Sequence, residues 1–377
     1  GGEPRPVVGG IAEAPKLQLV AISITALGTV ALYWTGVSLT GDRGAAMFGA
    51  LSYAVATPTW GWATTIFGHA AVGALMLIGL AGLRYIAVNG REGAAAHKRL
   101  YVAAALSAFA LGWALVVEHQ SVFGVLALLV YGLWVTLSFP VALRLRLLRI
   151  GIVAGIAALA PLIIYNLIAF DTLFKVGYEG VEGFEGMQQG VMGLTYPKPG
   201  VMYEILFGER RGILWLSPLL VLAPVGLFRM IGRENLRAAG WLAIAGTAIY
   251  FLLNAAYVYW TGGNSTGPRH AMPAMAFLGL GLTGYWALCR GPFWKTLGAA
   301  LFAVSAIIAS MIAAEMEEVS VGVVFSTAPK KFEVVRGTIN SVHTHKAAGH
   351  TFLLAGSEGA GEEQNVDRIS CLFPPGG

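Results

Sequence analysis

The chain has 377 residues, of which 56% are hydrophobic and only 12% are charged. Soluble globular domains carry about 25% charged residues, so this composition excludes a water-soluble fold and indicates a protein that lies in lipid. The formal net charge of +5 does not indicate nucleic-acid binding. The basic residues fall in short turns between apolar runs and form no cluster with interleaved aromatic residues.

A helix needs about twenty apolar residues to cross the hydrocarbon core of a bilayer. In chain order, the apolar runs are Leu17–Leu39, Ala45–Ala56, Thr64–Val88, Leu100–Val117, Val122–Val141, Ile150–Phe170, Gly212–Met230, Ala238–Tyr259, Ala271–Leu288 and Leu297–Ala314. The second run is short and stops before Pro58, which disfavours helix in the residue before it. The sequence predicts an all-α integral membrane protein, a polytopic bundle of about nine or ten transmembrane helices.

The positions of Lys and Arg predict the orientation, because cytoplasmic loops carry an excess of these residues. Basic residues occur in alternate connections: Arg43, Arg91 to Arg99, Arg144/Arg146/Arg149, Arg229/Arg233/Arg237 and Arg290/Lys295. We assign these connections to the cytoplasmic side. The intervening connections then face outward, and the longest, Asp171–Arg211, carries six acidic and four basic residues. Within it, Pro199–Phe207 has the apolar spacing of a short helix at the membrane interface. The predicted location is the inner (cytoplasmic) membrane of a cell.

The pattern changes after Glu315, and we divide the chain into a membrane domain (residues 1–315) and a polar C-terminal tail (residues 316–377). Three tail segments are strand-like: Val319–Phe325, Lys331–Val335 and Thr351–Leu354. Gly356–Gln364 has the composition of a flexible acidic loop. Cys289 and Cys371 are predicted on opposite sides of the membrane, which argues against a disulfide between them. The tail is expected to face outward.

Polar residues concentrate at the predicted outward ends of the helices. Ionisable groups near a membrane are costly and often mark function. The candidate substrate-binding residues are His69, Glu118, His119, Tyr165, Asn166, Tyr178, Arg210, Arg211, Trp260, Asn264, Arg269 and His270. We expect them to line a cavity that opens to the outside.

Several of these segments resemble bacterial GT-C glycosyltransferases of the protein-mannosyltransferase and aminoarabinose-transferase type, glycosyltransferase family 39. They are Gly61–His69 with its preceding Thr-Pro, Tyr165-Asn166 with Gly177-Tyr178, Arg211-Gly212 to Ser217-Pro218, and Trp260–His270. The resemblance covers roughly Leu17 to Ala314. It implies transfer of a sugar from a polyprenyl-phosphate carrier to a cell-envelope acceptor at the outer face of the membrane. Membrane lipid and that donor would be the partners, and nucleic acid would not be one.

The chemistry of such a transfer suggests roles for individual residues. Arg269 and Arg211 could grip the phosphate leaving group, because a guanidinium binds phosphate oxygens bidentately. Trp260 and Tyr178 could stack on a sugar ring or lie in the lipid interface. Glu118 with His119 could act as an acid–base or metal pair, or could simply keep a tight turn polar. A divalent metal ion stays open as a cofactor, and no metal ligands are assigned.

Structural roles compete with these assignments. His69 is interpreted first as a helix-packing histidine, and Tyr165 and Asn166 as partners in hydrogen bonds between helices. Arg210, Arg211, Arg269 and His270 could instead hold helix ends or lipid headgroups.

The sequence departs from the family in one respect. GT-C enzymes typically carry a catalytic acid in the first outer loop, whereas residues 1–15 hold only Glu3 and Glu13. We therefore expect the first helix, that loop and the general base to be missing here, and we assign no catalytic residue. An enzyme remains the first hypothesis. The alternative is a non-catalytic transporter or flippase for lipid-linked sugars, or an envelope scaffold, although only the break at Pro58 resembles the paired broken helices of transporters.

Overall fold

The computed structural model describes residues 9–65, 67–90, 97–173, 185–209, 211–262, 266–319, 323–325, 332–334, 341–347 and 350–356. The α-helices in these ranges are α1 (Gly9–Thr40), α2 (Arg43–Val55), α3 (Thr59–Ala63), α4 (His69–Asn89), α5 (His97–Val117), α6 (Val122–Thr136), α7 (Val141–Phe170), α8 (Pro199–Phe207), α9 (Ile213–Leu216), α10 (Leu222–Ile231), α11 (Glu234–Ala256), α12 (Ala274–Leu288) and α13 (Pro292–Val319). Short 3₁₀ helices cover His119–Ser121, Glu185–Gln188, Pro218–Val221 and Arg269–Ala271.

Among the described residues, seven helices are long and apolar enough to cross a membrane: Gln18–Thr40, His69–Asn89, Lys98–Val117, His119–Thr136, Val141–Phe170, Glu234–Ala256 and Pro292–Ala314. Pro218–Ile231 and Ala274–Leu288 are apolar and shorter. α7 shows what surrounds the bundle, because large apolar side chains such as Val153 (69% exposed) and Ile168 (82% exposed) point away from the protein. These helices confirm the predicted fold class, an all-α multi-pass membrane protein.

α12 lies at the centre of the bundle. Every residue from 274 to 285 in this helix is buried, and the helix packs against α1, α2, α4, α10 and α11. The largest fully buried side chains include Tyr285 and Phe277 of α12, Tyr53 of α2 and Tyr250 of α11. α7 lies at the edge of the bundle, where it packs on α5.

Glycine allows α10 to approach α12 closely. A Cβ atom on Gly226 would lie 1.8 Å from the carbonyl oxygen of Gly281 and 2.4 Å from the amide nitrogen of Tyr285. A Cβ on Gly281 would in turn lie 2.7 Å from the carbonyl oxygen of Ala223. The two backbones are therefore in direct contact, an arrangement that small residues permit between membrane helices.

One predicted helix boundary on the basic side of the bundle is wrong. The predicted helix begins at Ile150, whereas α7 already begins at Val141. Arg144, Arg146 and Arg149 therefore lie in its first turns and not in a loop. Long basic side chains can keep their charges at the membrane surface while the backbone continues as a helix, and Arg146 Nη1 donates to the Tyr101 hydroxyl at 3.1 Å.

Two further runs are interrupted at the opposite end of the bundle. The predicted helix Thr64–Val88 begins only at His69, after the short helix α3. The predicted helix Gly212–Met230 breaks at Ser217-Pro218, where α9 ends and a 3₁₀ turn follows. The Ser217 hydroxyl donates to the carbonyl oxygen of Ala56 at 2.6 Å, so the break fastens α9 to the end of α2.

The connection between α7 and α9 contains ordered structure, as predicted. α8 occupies Pro199–Phe207, the predicted bounds, and turns Ile205 into the protein while Tyr203 and Phe207 stay exposed. The preceding strand-like residues pair with the end of α11, since Thr195 N donates to the Ala256 oxygen at 2.9 Å. This part of the connection is therefore fixed to the bundle.

The tail contains two antiparallel hairpins. β1 (Val323–Phe325) pairs with β2 (Phe332–Val334), and β3 (Ser341–Ala347) pairs with β4 (His350–Gly356). The strand-like character predicted for the tail is thereby confirmed. β3 was not predicted, and Val319 belongs to α13. The predicted loop Gly356–Gln364 lies outside the described residues after its first position, and the boundary between two domains stays a prediction.

Candidate functional site

Thr57 and Pro58 shape the first segment of the site, between α2 and α4. The Thr57 hydroxyl donates to the Tyr53 carbonyl oxygen at 2.8 Å and lies 2.9 Å from the Thr59 hydroxyl oxygen. These bonds end α2 and start α3, which buries Trp62 almost completely. The chain then turns and enters α4 at His69.

His69 Nδ1 contacts the carboxylate oxygen Oε1 of Glu118 at the end of α5. The start of α4 and the end of α5 approach closely at Gly68, where a Cβ atom would lie 2.2 Å from Val117 Cγ1. The His69 ring also meets the Trp62 ring edge-on, with centroids 5.2 Å apart. The helix-packing role expected for His69 is therefore incomplete, because its imidazole also binds a carboxylate.

His270 lies next to this pair, in the 3₁₀ turn that leads into α12. Its ring is 5.8 Å from that of His69 and 4.7 Å from that of Tyr257, centroid to centroid. Burial, followed by the nearby His69 and Arg269, lowers the pKa of His270 well below its usual value, against a backbone hydrogen bond with Tyr259. His270 is consequently neutral at neutral pH, and its buried Nε2 has no hydrogen-bond partner among the described residues.

Arg269 supplies a positive charge to this part of the site. Its guanidinium carbon lies 5.5 Å from the centroid of the Phe67 ring, and its buried Nε finds no hydrogen-bond partner within the described part of the chain. The side chain crosses the turn at Gly262, which has a left-handed φ of 68°, and a Cβ there would lie 2.9 Å from Arg269 Cγ and Cδ. Glycine thus allows the arginine to lie against the backbone of this turn.

Arg211 is a buried arginine at this end of the bundle. It is only 3% exposed and precedes α9. A buried guanidinium stays charged and needs anions or hydrogen-bond acceptors around it. Arg211 lies between α8 and α9, and the Ser217 hydroxyl at the end of α9 binds the end of α2.

The remaining described candidates differ in how far they are buried. His119 is exposed, although the adjacent Glu118 is not. Tyr165 is 60% exposed, whereas Asn166 is 3% exposed. The Asn166 side-chain amide donates to the Leu173 carbonyl oxygen at 3.3 Å, a bond within its own connection, whereas a bond to another helix was expected.

Trp260 is half-buried, and its carbonyl oxygen accepts a hydrogen bond of 2.9 Å from the side-chain amide of the fully buried Asn254. That bond closes the turn after α11, which ends at Ala256 and does not continue to Tyr259. Tyr257 therefore becomes available to contact His270. Tyr257 is not among the predicted site residues, because the predicted helix extends through it.

Three candidate residues, Arg210, Tyr178 and Asn264, lie outside the described residues, so their roles stay predictions. No group of three or more His, Cys, Asp or Glu side chains within the described ranges is placed to hold a metal ion. Glu118 and His69 could contribute two ligands at most. Cys289 is a free, buried thiol.

Together, a half-buried arginine, a neutral histidine and a glutamate–histidine pair meet at one end of the bundle. Two chemical capacities follow. Arg269 and His270 can receive an anion with hydrogen-bond acceptors, and the Glu118–His69 pair can take up or release a proton. We call these four residues and Tyr257 the polar cluster.

The sequence matches no protein-family model and no curated protein. Among solved structures, the chain is similar to ArnT from Cupriavidus metallidurans in the apo state, with a TM-score of 0.47 and 20% sequence identity. The match covers 79% of this chain and 50% of that protein, so the chain spans half the length of ArnT. A likeness of this degree assigns neither family nor activity to the chain.

Proposed function

We propose that this protein is a GT-C-like glycosyltransferase that takes its sugar from a polyprenyl-phosphate donor in the membrane. One observation carries the proposal: Arg269 has a buried Nε without a partner among the described residues, beside the similarly unpartnered Nε2 of His270. Unsatisfied buried polar groups are costly, and a phosphate offers acceptors for both. The donor's hydrocarbon chain would lie in the surrounding lipid.

In this proposal, Arg269 stabilises the departing phosphate. The acceptor hydroxyl oxygen attacks the anomeric carbon, the bond from that carbon to the phosphate oxygen breaks, and its electron pair stays on the phosphate. A preorganised cation at the place where charge develops lowers the barrier. His270 is neutral, so it would act as a hydrogen-bond donor or acceptor and not as a second charge. Arg211 would stabilise the same phosphate from the α9 side.

The Glu118–His69 pair would accept the proton that the acceptor hydroxyl loses. A carboxylate paired with an imidazole holds the ring in one orientation and stabilises its protonated form. Proton acceptance by this pair replaces the acid–base role considered for Glu118 with His119, since His119 is exposed and the Glu118 carboxylate contacts His69. The half-buried Tyr257, whose ring contacts His270, offers an aromatic face for a sugar ring.

The test of donor recognition uses undecaprenyl phosphate and undecaprenol, which share a hydrocarbon chain and differ in the phosphate. We expect the phosphate to raise the apparent melting temperature of the purified protein in detergent and the alcohol to leave it unchanged. A ligand at one hundred times its dissociation constant stabilises by about 2.7 kcal/mol. Equal shifts with both lipids, or none with either, would contradict phosphate recognition.

The transferase and the flippase make different predictions for a labelled, phosphate-linked sugar lipid in vesicles. A transferase releases polyprenyl phosphate and passes the label to an added envelope glycan or lipid extract. A flippase changes the leaflet of the label and leaves the bond to the sugar intact. Transport without bond cleavage would replace our proposal with the non-catalytic alternative.

We further propose that the polar cluster faces the outside of the cytoplasmic membrane, in agreement with the charge alternation. The test uses single cysteines in a Cys289→Ser/Cys371→Ser background. Tyr196→Cys, in the long connection, should react with an impermeant maleimide in intact cells, whereas Arg233→Cys, between α10 and α11, should react only after permeabilisation. Both parent side chains are exposed, so accessibility within the protein is matched. The opposite labelling pattern would show that the proposed topology is inverted.

A further inference from the structure

A groove between α4 and α5 opens on the surface of the bundle, near the start of α5. It encloses about 720 Å³. Two kinds of residue line it: apolar side chains, which include Ile78, Val102 and Leu106, and the basic side chains of Lys98 and Arg99 at one end. The groove lies at the opposite end of both helices from the Glu118–His69 pair.

Within the described part of the chain, Lys98 and Arg99 differ from the neighbouring basic residues in that no hydrogen bond or ion pair holds their side chains. Arg84 donates from Nε and Nη2 to Ser38, at 3.1 and 2.9 Å, and Arg146 contacts the hydroxyl and ring of Tyr101. No acidic side chain among the described residues pairs with Lys98 or Arg99, and both are exposed. They also lie in the first turn of α5, where the helix dipole favours anions over cations.

The apolar part of the groove has the dimensions of a lipid chain. Lys98 and Leu106 are eight positions apart on α5, which corresponds to about 12 Å along a helix. One leaflet of the hydrocarbon core is about 15 Å deep. Val102 and Leu106 are 51% and 60% exposed, so a chain lying in the groove would cover apolar surface over nearly the full depth of a leaflet.

From this combination we propose that the groove is a binding site for an anionic phospholipid. The phosphate of the lipid meets Lys98 and Arg99, and one acyl chain lies along Ile78, Val102 and Leu106. In the proposed topology, this end of the bundle faces the cytoplasmic leaflet, far from the sugar donor's phosphate. The inference does not depend on the proposed transferase activity.

The experiment is native mass spectrometry of the protein in detergent with equal amounts of phosphatidylglycerol and phosphatidylcholine that carry identical acyl chains. We expect phosphatidylglycerol to be retained preferentially. In the Lys98→Gln/Arg99→Gln variant, the ratio of bound phosphatidylglycerol to bound phosphatidylcholine should be about tenfold lower, because each basic residue near a membrane surface attracts anionic lipid. A parent protein without any preference would overturn the proposal.

Two further experiments distinguish lipid binding in the groove from attraction to any exposed basic residues and from binding of a soluble phosphate. The Arg233→Gln/Arg290→Gln variant removes the same charge at exposed positions outside the groove, and it should keep the parent's preference. Excess glycerol 3-phosphate should fail to displace bound phosphatidylglycerol, because it lacks the acyl chains. Equal loss of preference in both variants, or displacement by glycerol 3-phosphate, would show that no acyl-binding groove specifies the lipid.

Discussion

Replacing Arg269 with alanine should weaken the binding of undecaprenyl phosphate about 10- to 100-fold, since hydrogen bonds to charged groups contribute roughly 1.5–3 kcal/mol each. The structure gives two reasons to expect a large effect. The guanidinium carbon lies 5.5 Å from the Phe67 ring centroid, and the side chain lies against the turn at Gly262. Its Nε lacks a protein partner in the described residues. Arg269→Lys keeps the charge but loses the planar fork, and we expect it to retain part of the affinity.

The measurement is a titration of each purified variant with undecaprenyl phosphate, followed by tryptophan fluorescence, with undecaprenol as the neutral control. Arg290→Ala is the matched variant, because it removes one exposed arginine away from the polar cluster and should bind like the parent. The apparent melting temperatures without lipid must agree, so that a folding defect is not read as lost binding. If Arg269→Ala binds the phosphate as tightly as Arg290→Ala, Arg269 does not bind the donor.

The same assay distinguishes donor binding from chemistry. Glu118→Gln keeps the shape of the side chain and removes its charge, so it should leave the affinity for undecaprenyl phosphate close to that of the parent. In the vesicle assay, however, sugar transfer should fall by about 10²- to 10⁴-fold, the usual contribution of general acid–base catalysis. If Glu118→Gln transfers sugar at the parent's rate, Glu118 does not take part in the proton transfer. The proposed role of Arg269 would still hold.

The apolar runs predicted the membrane bundle well, because lipid requires long apolar segments whatever the packing inside. α2 and α5 match their predicted runs closely. The predicted helix boundaries were wrong where the local composition and the backbone conformation disagree. Arg144 to Arg149 looked like a loop because of their charge, yet α7 includes them; Ser217-Pro218 looked like helix because its neighbours are apolar, yet the chain turns there.

The candidate site was predicted only as a set of segments. The sequence predicted Glu118, His69 and His270 at the same end of the bundle, and in the structure His69 contacts the other two. Their partners could not be predicted, since Glu118 and His69 are 49 positions apart and their contact depends on how α4 packs against α5. Glycine at position 68, directly before His69, was the available signal for that close approach.

The central helix contact gives the second large expected effect. Gly226→Ala should lower the apparent melting temperature in detergent by roughly 5 °C or more, since overpacking commonly costs about 1–3 kcal/mol and occasionally more. The new methyl group would start 1.8 Å from the Gly281 carbonyl oxygen, and this neighbour is backbone that cannot rotate away. α10 would have to move off α12, the helix on which five others pack.

Gly151→Ala on α7 is the matched control for this prediction. Its Cβ atom would lie 3.7 Å from Ala108 Cβ, an ordinary contact, and alanine is favoured over glycine in a helix by about 1 kcal/mol. We therefore expect Gly151→Ala to melt at or above the parent's temperature. Because membrane proteins often unfold irreversibly, all variants are heated at one rate and the remaining monodisperse fraction is measured by size-exclusion chromatography. A Gly226→Ala variant as stable as Gly151→Ala would mean that α10 and α12 do not meet through their backbones.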